Sequence, residues 1–359
     1  MSIDRDKFLF MADCHVKKRT WANSDLLQDD ASIALSHVYT AYGKNYKTLV
    51  TGGDWFDSTR PSSVDLNVSY AFREHFTNVY AIAGNHDNTN PLFLLLPHDG
   101  KDLSLGQHVW DDGMDLTGFG WCSKKGELEK FLDSYSKSVK PNQHVFLVLH
   151  AGLKELLSFD SSYQLELGWL KERFKEWNIT ILIGHVHTRK TFQIGEHAFV
   201  HSPGSLYPCS SDKMGDKHYV SIIDKYTGHI TDACCDVRHY ETVKYESDEQ
   251  LKEVFDAMPC LYLPPFVRVE LGDRPVPSVD PGYCLVQYVK DSGEVVETGT
   301  QTSADDDYTI EDAVREELEC DNDIADMAVK LVESDDPVGE IGSWLDVWGV
   351  DRLNVKKEK

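Results

Sequence analysis

The chain has 359 residues, of which 41% are hydrophobic and 27% are charged, so it has enough apolar material for a globular protein of two or three domains. Its 60 acidic residues outnumber its 36 lysines and arginines, which gives a formal net charge of −24. A protein that binds nucleic acid by electrostatic attraction alone normally carries a basic face, so the composition disfavours that class. It does not disfavour an enzyme whose bound cations supply the positive charge.

The sequence has no segment typical of membrane insertion or secretion. Apolar runs such as 145–149 and 179–183 are much shorter than the roughly 20 residues that a transmembrane helix requires. The first residues, MSIDRDK, lead directly into a strand-like run and lack the features of a signal peptide. The eight cysteines contain no CxxC pair. We therefore expect a cytoplasmic protein with free thiols.

Strand-like and helix-like patterns alternate over the first 240 residues. Strands are predicted at 7–12, 48–51, 79–83, 144–149, 180–183, 197–201 and 219–224. Helices are predicted at 26–42, 64–76, 127–136 and 165–177. This alternation predicts an α/β layer architecture.

A second pattern begins near residue 247. A short amphipathic helix at 248–258 is followed by strands at 266–271 and 283–289, which predicts a small α+β module. The polar, acidic stretch 297–307 is predicted to be a linker, and helix signals follow it to the end. Residues 270–359 contain 24 acidic and eight basic residues. The tail is therefore a separate electrostatic region.

Residues of metal-ligand types follow five of the predicted strands directly. They are Asp13 and His15, then Asp54, then Asn85, His86 and Asp87, then His150, and finally His185 and His187. Groups just beyond the carboxyl ends of strands in an α/β sheet converge on one crevice, so these side chains should lie together. Asp, Asn and His suit divalent ions such as Mn, Fe or Zn. Each motif alone could be structural, but five at successive strand ends predict a metal site.

The ordered set DxH, GGD, GNHD, H and GHxH resembles the signature of the calcineurin-like metallophosphoesterases, over residues 7–224. The resemblance implies a β-sandwich flanked by helices, in an α/β/β/α arrangement, and two divalent cations. Mn²⁺ is the expected metal, with Mg²⁺, Fe²⁺ and Zn²⁺ as alternatives. Two such cations would clamp a phosphate and activate the attacking water.

The same resemblance implies a role for each residue of the set. Asp13, His15, Asp54 and His187 would hold one metal, and Asp54, Asn85, His150 and His185 the other, with Asp54 bridging. His86 would contact the phosphoryl group or protonate the leaving oxygen, as an unligated acid close to the metals. Asp87 would orient His86.

Within this superfamily the segment 53–62, GDWFDSTRPS, resembles the GDxFDxxxPS stretch of the SbcD-type recombination and repair nucleases, including their phage-encoded members. Asp57 stands where archaeal and eukaryotic relatives often have a histidine, so no role is carried over to it. The segment 201–205, HSPGS, with Lys217 and the strand at 219–224, resembles the closing pattern of the family. A Pro-Gly-Ser also occurs in small phosphodiesterases of the superfamily, so this piece does not discriminate.

The SbcD-like resemblance implies a DNA exonuclease and endonuclease in the cytoplasm of a bacterium or of a phage-infected host. Its partners would be DNA, an SbcC-type coiled-coil ATPase and, through dimerisation, a second copy of the chain. Arg60 and Arg189 lie just beyond the site motifs. They are candidate contacts to DNA phosphates or, alternatively, exposed charges.

The predicted organisation has four segments. Residues 1–240 are the dimetal phosphoesterase domain, 241–296 a capping domain over the DNA, 297–308 an acidic linker, and 309–359 a helical segment that binds the ATPase. Apolar residues recur at helical spacing from Ile310, and Pro337 suits the first turn of another helix. Helices this short need a surface to pack on, which is either the partner or the chain's own catalytic domain.

Two other functions are open to the same sequence. One is a stand-alone phosphatase or small-molecule phosphodiesterase, which the length beyond residue 240 disfavours because compact members need no cap or tail. The other is a scaffold that has lost its metals. The scaffold is disfavoured because every ligand position and His86 are filled.

Overall fold

The structure is a computed structural model that describes residues 4–17, 27, 29–87, 100–111, 113–122, 125–138, 143–157, 164–209, 215–290 and 295–299. The predicted helical tail at 309–359 lies outside these residues, as does the predicted linker beyond Gly299.

Eighteen strands and five α-helices form in the described part of the chain. The strands are β1 (Lys7–Met11), β2 (Thr48–Thr51), β3 (Asn78–Ala81), β4 (Lys101–Asp102), β5 (Leu105–Asp111), β6 (Met114–Phe119), β7 (Val145–His150), β8 (Gly152–Leu153), β9 (Gln164–Leu165), β10 (Ile179–Gly184), β11 (Lys190–Gln193), β12 (Ala198–Ser202), β13 (Tyr219–Asp224), β14 (Ile230–Cys234), β15 (Tyr240–Lys244), β16 (Phe266–Glu270), β17 (Leu285–Val289) and β18 (Val295–Gly299). The helices are α1 (Asp30–Ala41), α2 (Ser63–Arg73), α3 (Lys125–Lys137), α4 (Leu167–Phe174) and α5 (Asp248–Ala257). None of these helices has both the length and the apolar content needed to span a bilayer.

Two six-stranded sheets pack face to face. The first has the order β14-β13-β1-β2-β3-β4, and the second has the order β11-β12-β10-β7-β6-β5. Phe8 and Phe10 of the first sheet share one buried cluster with Phe146 and Val148 of the second. The rings of Phe8 and Phe146 meet edge to face, with centroids 5.0 Å apart. This cluster is the centre of a β-sandwich.

Helices cover the outer face of each sheet because the central strands are apolar on both sides. Side chains alternate along a strand, so Leu9 and Met11 leave the inner cluster and pack against α1 and α2. On the second sheet, Leu147 and Leu149 pack in the same way with Leu170 and other residues of α3 and α4. The predicted α/β/β/α fold is confirmed.

Most predicted elements form, with shifted ends. The strands predicted at 48–51 and 219–224 match β2 and β13 residue for residue. The helix predicted at 26–42 begins only at Asp30, because Asp29 has a left-handed backbone with φ of 62°, which a helix cannot include. The helix predicted at 64–76 ends at Arg73 and starts from a capping box between Ser62 and Asp65.

Four strands and α5 form the predicted α+β module. Its sheet has the order β15-β16-β17-β18, and only β18 runs antiparallel to its neighbour. Ser247 caps α5 by accepting a hydrogen bond from the Gln250 amide. Because β18 ends at Gly299, the first three residues of the segment predicted to be a linker belong to this sheet, which corrects that boundary.

The sandwich brings five strand ends to one edge. β1, β2 and β3 run parallel in the first sheet, and β7 and β10 run parallel in the second. The carboxyl ends of these strands and the loops that leave them carry all the predicted metal ligands. The fold therefore places the five motifs of the sequence at one crevice.

Candidate metal centre

Backbone hydrogen bonds hold the first two ligand loops together. The Asp13 amide donates to the Gly53 carbonyl at 3.1 Å, and the His15 amide donates to the Asp54 carbonyl at 2.9 Å. These contacts continue the parallel pairing of β1 and β2 beyond the ends of the strands. The side chains of Asp13, His15 and Asp54 therefore have fixed relative positions.

Glycines allow the loops to approach closely. A Cβ at Gly84 would lie 2.0 Å from Asp54 Oδ1 and 2.3 Å from the Asp54 amide nitrogen. A Cβ at Gly184 would lie 2.1 Å from the Gly52 carbonyl oxygen. Any larger residue would push the loops apart, which explains the glycines next to the ligands in the GNHD and GHxH motifs.

The first predicted ligand set converges around two histidine nitrogens. His15 Nε2 and His187 Nε2 lie 3.2 Å apart. Asp54 Oδ2 is 3.9 Å from His15 Nε2, and Asp13 Oδ1 is 3.7 Å from His187 Nε2. Two imidazole nitrogens and two carboxylates thus face one small volume.

The second predicted set converges around the Asn85 amide. Its Oδ1 lies 2.9 Å from His185 Nδ1 and 3.1 Å from His150 Nε2, and that nitrogen is 3.4 Å from Asp54 Oδ2. The other ring nitrogen of His150, Nδ1, contacts the Gly52 carbonyl at 2.8 Å. A proton on Nδ1 donates to this carbonyl, so a cation that replaced the proton on Nε2 would meet that nitrogen's lone pair.

Asp54 lies between the two sets, within reach of His15 on one side and His150 on the other. The structure therefore brings all seven predicted ligands together. Five non-glycine residues in the described part of the chain have positive φ, and four of them belong to this group: Asp13 (50°), His15 (42°), Asp54 (50°) and His185 (84°). Such strained backbone is typical of functional sites.

Burial and mutual repulsion shift the pKa values of these groups. Burial raises the pKa of Asp13 to about 7, and the nearby Asp54 carboxylate adds to the effect. Burial lowers the pKa of His185 to about 4 and that of His187 to about 3. Burial also opposes a charge on His150, but the Asp54 carboxylate overcomes it and raises the pKa of that histidine to about 9.

The donor set fits divalent cations. Neutral imidazoles at positions 185 and 187 are in the metal-binding form, and the two buried carboxylates, Asp13 and Asp54, are less than 2% exposed. Buried charges need a counter-charge, and a cation in each group would supply it. Oxygen and imidazole donors together suit Mn, Fe or Zn.

His86 lies beside the first set, with its ring 4.9 Å from that of His15. Its Nδ1 contacts the Asp57 carbonyl at 3.0 Å, and its amide donates to Asp54 Oδ1 at 2.8 Å. Asp87 does not hold this ring. Its carboxylate accepts hydrogen bonds from the amides of Asp54, Trp55 and Gly84. The expectation that Asp87 orients His86 is corrected: Asp87 ties the GGD loop to the GNHD loop.

Asp57 is a site residue for which the family resemblance implies no role. Its carboxylate lies 3.2 Å from His15 Nδ1 and 3.0 Å from Lys17 Nζ. A proton on Nδ1 of His15 is favoured by this carboxylate, which leaves Nε2 as the donor that faces His187. The signal was available in the sequence, because Asp57 belongs to the GDxFD stretch.

The segment 202–209 contacts the backbone of the loop that carries Asp13 and His15. The Tyr207 hydroxyl donates to the His15 carbonyl at 2.5 Å, and the Leu206 amide donates to the Asp13 carbonyl at 3.4 Å. The Cys209 thiol lies with the ring nitrogens of His15 and His187 in a group whose ligand atoms are within 4.8 Å of one another. Neither Tyr207 nor Cys209 carries a sequence motif that would have identified it.

The two predicted DNA contacts have different surroundings. Arg60 is exposed in the loop after the GDxFD stretch, where its amide donates to Ser58 Oγ. Arg189 forms an ion pair with Asp232, and its side chain is 41% exposed.

Trp121 was not predicted to be a site residue, yet its ring centroid lies 5.1 Å from that of His185. It forms part of the wall beside the second ligand set.

Comparisons with known proteins give curated relatives of this chain. The chain is 25% identical over 195 residues to the DNA double-strand break repair protein Mre11 of Saccharolobus solfataricus, covering 51% of this chain and 50% of the relative. It is 24% identical over 216 residues to the protein of the same name from Sulfurisphaera tokodaii, covering 56% and 54%. The chain thus spans about half the length of the curated relatives it matches.

A solved structure, the crystal structure of TT1561 of Thermus thermophilus, matches with a TM-score of 0.41 and 11% identity. The match covers 65% of this chain and 100% of the other. The family described as Calcineurin-like phosphoesterase matches residues 6–217, which span β1 to β12 and every predicted ligand. The predicted resemblance is confirmed, and the chain belongs to the calcineurin-like phosphoesterase family.

Proposed function

We propose that this metal-dependent phosphoesterase is a DNA phosphodiesterase, with exonuclease and endonuclease activity, in an SbcCD-like complex. The observation that carries the proposal is the convergence of all seven ligand side chains and His86 in a chain whose relatives are named DNA double-strand break repair proteins. The protein acts in recombination and repair, in the cytoplasm of a bacterium or of a phage-infected host.

Two divalent cations, with Mn²⁺ as the expected metal, would fit the two ligand sets. Asp13, His15, Asp54 and His187 would hold one, and Asp54, Asn85, His150 and His185 would hold the other. When bound, the cations supply the positive charge that polarises a phosphodiester and favours attack by water.

The protein's own residues perform the remaining tasks. His86 is held by the Asp57 carbonyl through Nδ1, and its other nitrogen protonates the leaving oxygen. Asn85 completes the second set without adding a negative charge where an anionic diester binds. Asp87 keeps the two loops that carry Asp54 and Asn85 in register, through three backbone amides.

The chain's net charge of −24 makes local cations necessary for binding DNA. Bound divalent cations would supply positive charge at the crevice. Arg60 and Arg189 add positive charge at its border, with Asp232 partly neutralising Arg189. Residues 309–359, which the sequence predicts to be helical, bind an SbcC-type coiled-coil ATPase, and the complete assembly includes a homodimer of this chain.

One assay separates the alternative functions. The purified chain is incubated with linear duplex DNA, bis-p-nitrophenyl phosphate or p-nitrophenyl phosphate, each with Mn²⁺, Mg²⁺ or EDTA. We expect cleavage of the DNA and of the diester with Mn²⁺, and none with EDTA or with an Asp54→Asn variant. Hydrolysis of the monoester without DNA cleavage would assign a phosphatase. The absence of any turnover would assign a non-catalytic scaffold.

A further inference from the structure

A polar cavity lies at the edge of the first sheet where β1, β2 and β3 begin, and the metal centre lies at the edge where these strands end. Its volume is about 150 Å³. The residues that line it are Arg5, Lys7, Lys47, Thr48, Asn78 and Lys225. Four of the six are basic and none is acidic, in a chain with a net charge of −24. A concentration of cations here is the opposite of what the overall composition leads one to expect.

The pairing of the strands brings these side chains together. Lys7, Thr48 and Asn78 are the first residues of β1, β2 and β3, and Thr48 is paired with Asn78 across the parallel ladder. Lys225 directly follows β13, which runs antiparallel to β1, and its amide donates to the Asp6 carbonyl at 2.8 Å. The cavity is therefore a rigid product of the sheet and does not depend on a long loop.

The cavity is too far from the metal centre to share a ligand with it. Lys7 begins β1 and Asp13 follows its end, so six residues of nearly extended chain separate them, or roughly 20 Å at about 3.3 Å per residue. A phosphate bound at the cavity cannot be the phosphate bound by the metals. A ligand in the cavity is therefore either a different molecule from the one at the metal centre, or a distant part of the same long molecule.

Three acidic groups lie near the cavity; Asp4 pairs with the lining Lys7, and the other two accept hydrogen bonds from neutral donors. Asp4 Oδ2 lies 3.3 Å from Lys7 Nζ. Asp111 accepts hydrogen bonds from Asn78 Nδ2 and the Tyr80 hydroxyl. The Asp224 carboxylate accepts from the amides of residues 226 and 227 and from the Thr227 hydroxyl. These carboxylates stand beside the cavity, whereas the four basic residues stand in its wall.

The lining offers the donors that a phosphate group accepts from. Arg5, Lys7 and Lys47 are accessible to different degrees, whereas Lys225 is only 2% exposed and still lines the cavity. Thr48 and Asn78 supply neutral polar groups next to the charges. Charged donors around a compact polar space are the usual means of binding phosphate oxygens.

We propose that this cavity binds a phosphate group, either as free orthophosphate or as one phosphate of a nucleic-acid backbone. The volume supports a single group, because pockets for drug-sized molecules start at about 300 Å³. A larger ligand places one phosphate in the cavity and the remainder outside it. For bound DNA, this contact adds an anchor remote from the scissile bond.

The test measures protection of individual lysines. The Mn²⁺-loaded full chain is treated briefly with an acetylating reagent, and the rate of modification of each lysine is read by peptide mass spectrometry. Phosphate is expected to slow the modification of Lys7 and Lys47 several-fold, relative to chloride at equal ionic strength. Lys44 and Lys252, which are exposed and lie outside the cavity, are expected to react at an unchanged rate. Equal rates at Lys7 and Lys47 with phosphate and with chloride would overturn the proposal, and so would equal slowing at all four lysines.

A short duplex DNA replaces phosphate in the second arm. Protection by both identifies a backbone phosphate as a ligand, and protection by orthophosphate alone identifies a small anion. In a Lys47→Gln variant, the phosphate concentration that half-protects Lys7 is expected to rise about tenfold, from the loss of one charged contact. An unchanged concentration would count against the cavity as the binding site.

Two controls keep this inference separate from the proposed nuclease function. The Asp54→Asn variant is expected to retain protection by orthophosphate, because the metal centre takes no part in it. Hydrolysis of bis-p-nitrophenyl phosphate by the Lys47→Gln variant is expected to equal that of the unmodified chain. If the chain fails to cleave DNA but phosphate still protects Lys7 and Lys47, the nuclease proposal is wrong and the phosphate-binding proposal stands.

Discussion

His86 touches two parts of the site without belonging to either ligand set. Its Nδ1 contacts the Asp57 carbonyl at 3.0 Å, and its ring lies edge-on to that of His15. We predict that His86→Ala lowers DNA cleavage by about 10²–10⁴-fold, the usual cost of losing a general acid, while metal content is unchanged. Activity and metal content are measured on the same samples, with the exposed His197→Ala as a control. Loss of metal together with activity would make His86 a ligand, a role that its proximity to Asp54 and His15 permits.

Asp57 is not a predicted metal ligand, and it affects the metal centre through the ring of His15. Its carboxylate is 3.2 Å from His15 Nδ1. We predict that Asp57→Ala weakens metal binding by about 10–100-fold, as is usual when a partner of a metal-binding histidine is removed. Asp57→Asn is expected to lose less, because an amide oxygen can still lie beside the Nδ1–H group of His15.

Metal titration by calorimetry checks this prediction. The exposed Asp216→Asn serves as a control for the loss of one negative charge. An Asp57→Ala variant that binds metal as tightly as the unmodified chain would show that His15 needs no orienting group.

At the scale of elements, the close approach of two loops depends on Gly84. A Cβ there would lie 2.3 Å from the Asp54 amide nitrogen, which is backbone and cannot rotate away. We predict that Gly84→Ala costs on the order of 1–3 kcal/mol of stability, as overpacking typically does, and also weakens metal binding. Gly168→Ala in α4 is the control, since a Cβ there meets nothing within 4 Å. Thermal unfolding in EDTA measures the effect on the fold alone. Normal metal affinity in Gly84→Ala would contradict the prediction.

His201 joins the two sheets. Its Nδ1 pairs with Thr191 Oγ1 at 2.8 Å and its Nε2 with Ser221 Oγ at 2.7 Å, away from the metal centre. Burial lowers the pKa of His201 to about 4, despite the nearby Asp232. The unfolded chain takes up this proton near pH 6.5 and the folded chain only near pH 4. Stability is therefore complete above pH 6.5 and falls as the pH drops toward 4.

We predict from this shift that the loss of unfolding free energy between pH 7.5 and pH 5 is smaller in His201→Gln than in the unmodified chain, by about 2 kcal/mol. Glutamine keeps a polar group between the sheets but cannot titrate. Urea unfolding at the two pH values measures the difference, and the exposed His229→Gln is the control. Identical pH dependence in all three proteins would exclude His201 as the titrating group.

The elements that the sequence predicted share a physical property. β1, β7 and β10 are apolar on both faces, because each lies between the opposite sheet and a layer of helices. Nine strands of the described chain were not predicted, and β5 shows why. It is an edge strand in which Leu105 and Trp110 are exposed, so burial imposes no pattern on it. Edge strands owe their formation to a neighbour that the local sequence does not reveal.

The candidate site divides in the same way. Its ligands were predictable because each follows a buried strand directly, and the sheets then bring them together. Tyr207 and Cys209 were not predictable, since Tyr207 reaches the His15 carbonyl across 192 residues of sequence. Such contacts arise from tertiary structure alone. The contacts of the Asp87 carboxylate with backbone amides, instead of with the His86 ring, also arise from tertiary structure.

At the scale of the whole molecule, the proposed attachment of the ATPase is tested by truncation. A chain that ends at Gly299 keeps all of β18 and so keeps the four-stranded sheet complete. We predict that this chain remains folded and hydrolyses bis-p-nitrophenyl phosphate at the full rate, but fails to co-purify with the ATPase and is not stimulated by ATP. Full-length protein is the control in both measurements.

The alternative, that residues 309–359 pack on their own catalytic domain, gives a different result. The truncated chain would then aggregate, or melt well below the full-length protein. Co-purification of a stable truncated chain with the ATPase would instead place the attachment within residues 1–299.

The left-handed backbone at Asp13, His15, Asp54 and His185 limits how the metal preference of this chain can be redesigned. Asp, Asn and His enter this conformation most readily among residues with a side chain, whereas bulky or branched residues resist it. Exchanging Asp, Asn and His at these four positions is therefore compatible with the backbone. Asn85, His150 and His187 lie outside the positive-φ set of the described residues. An engineer who seeks a softer site, with Cys as a ligand, would begin at those three.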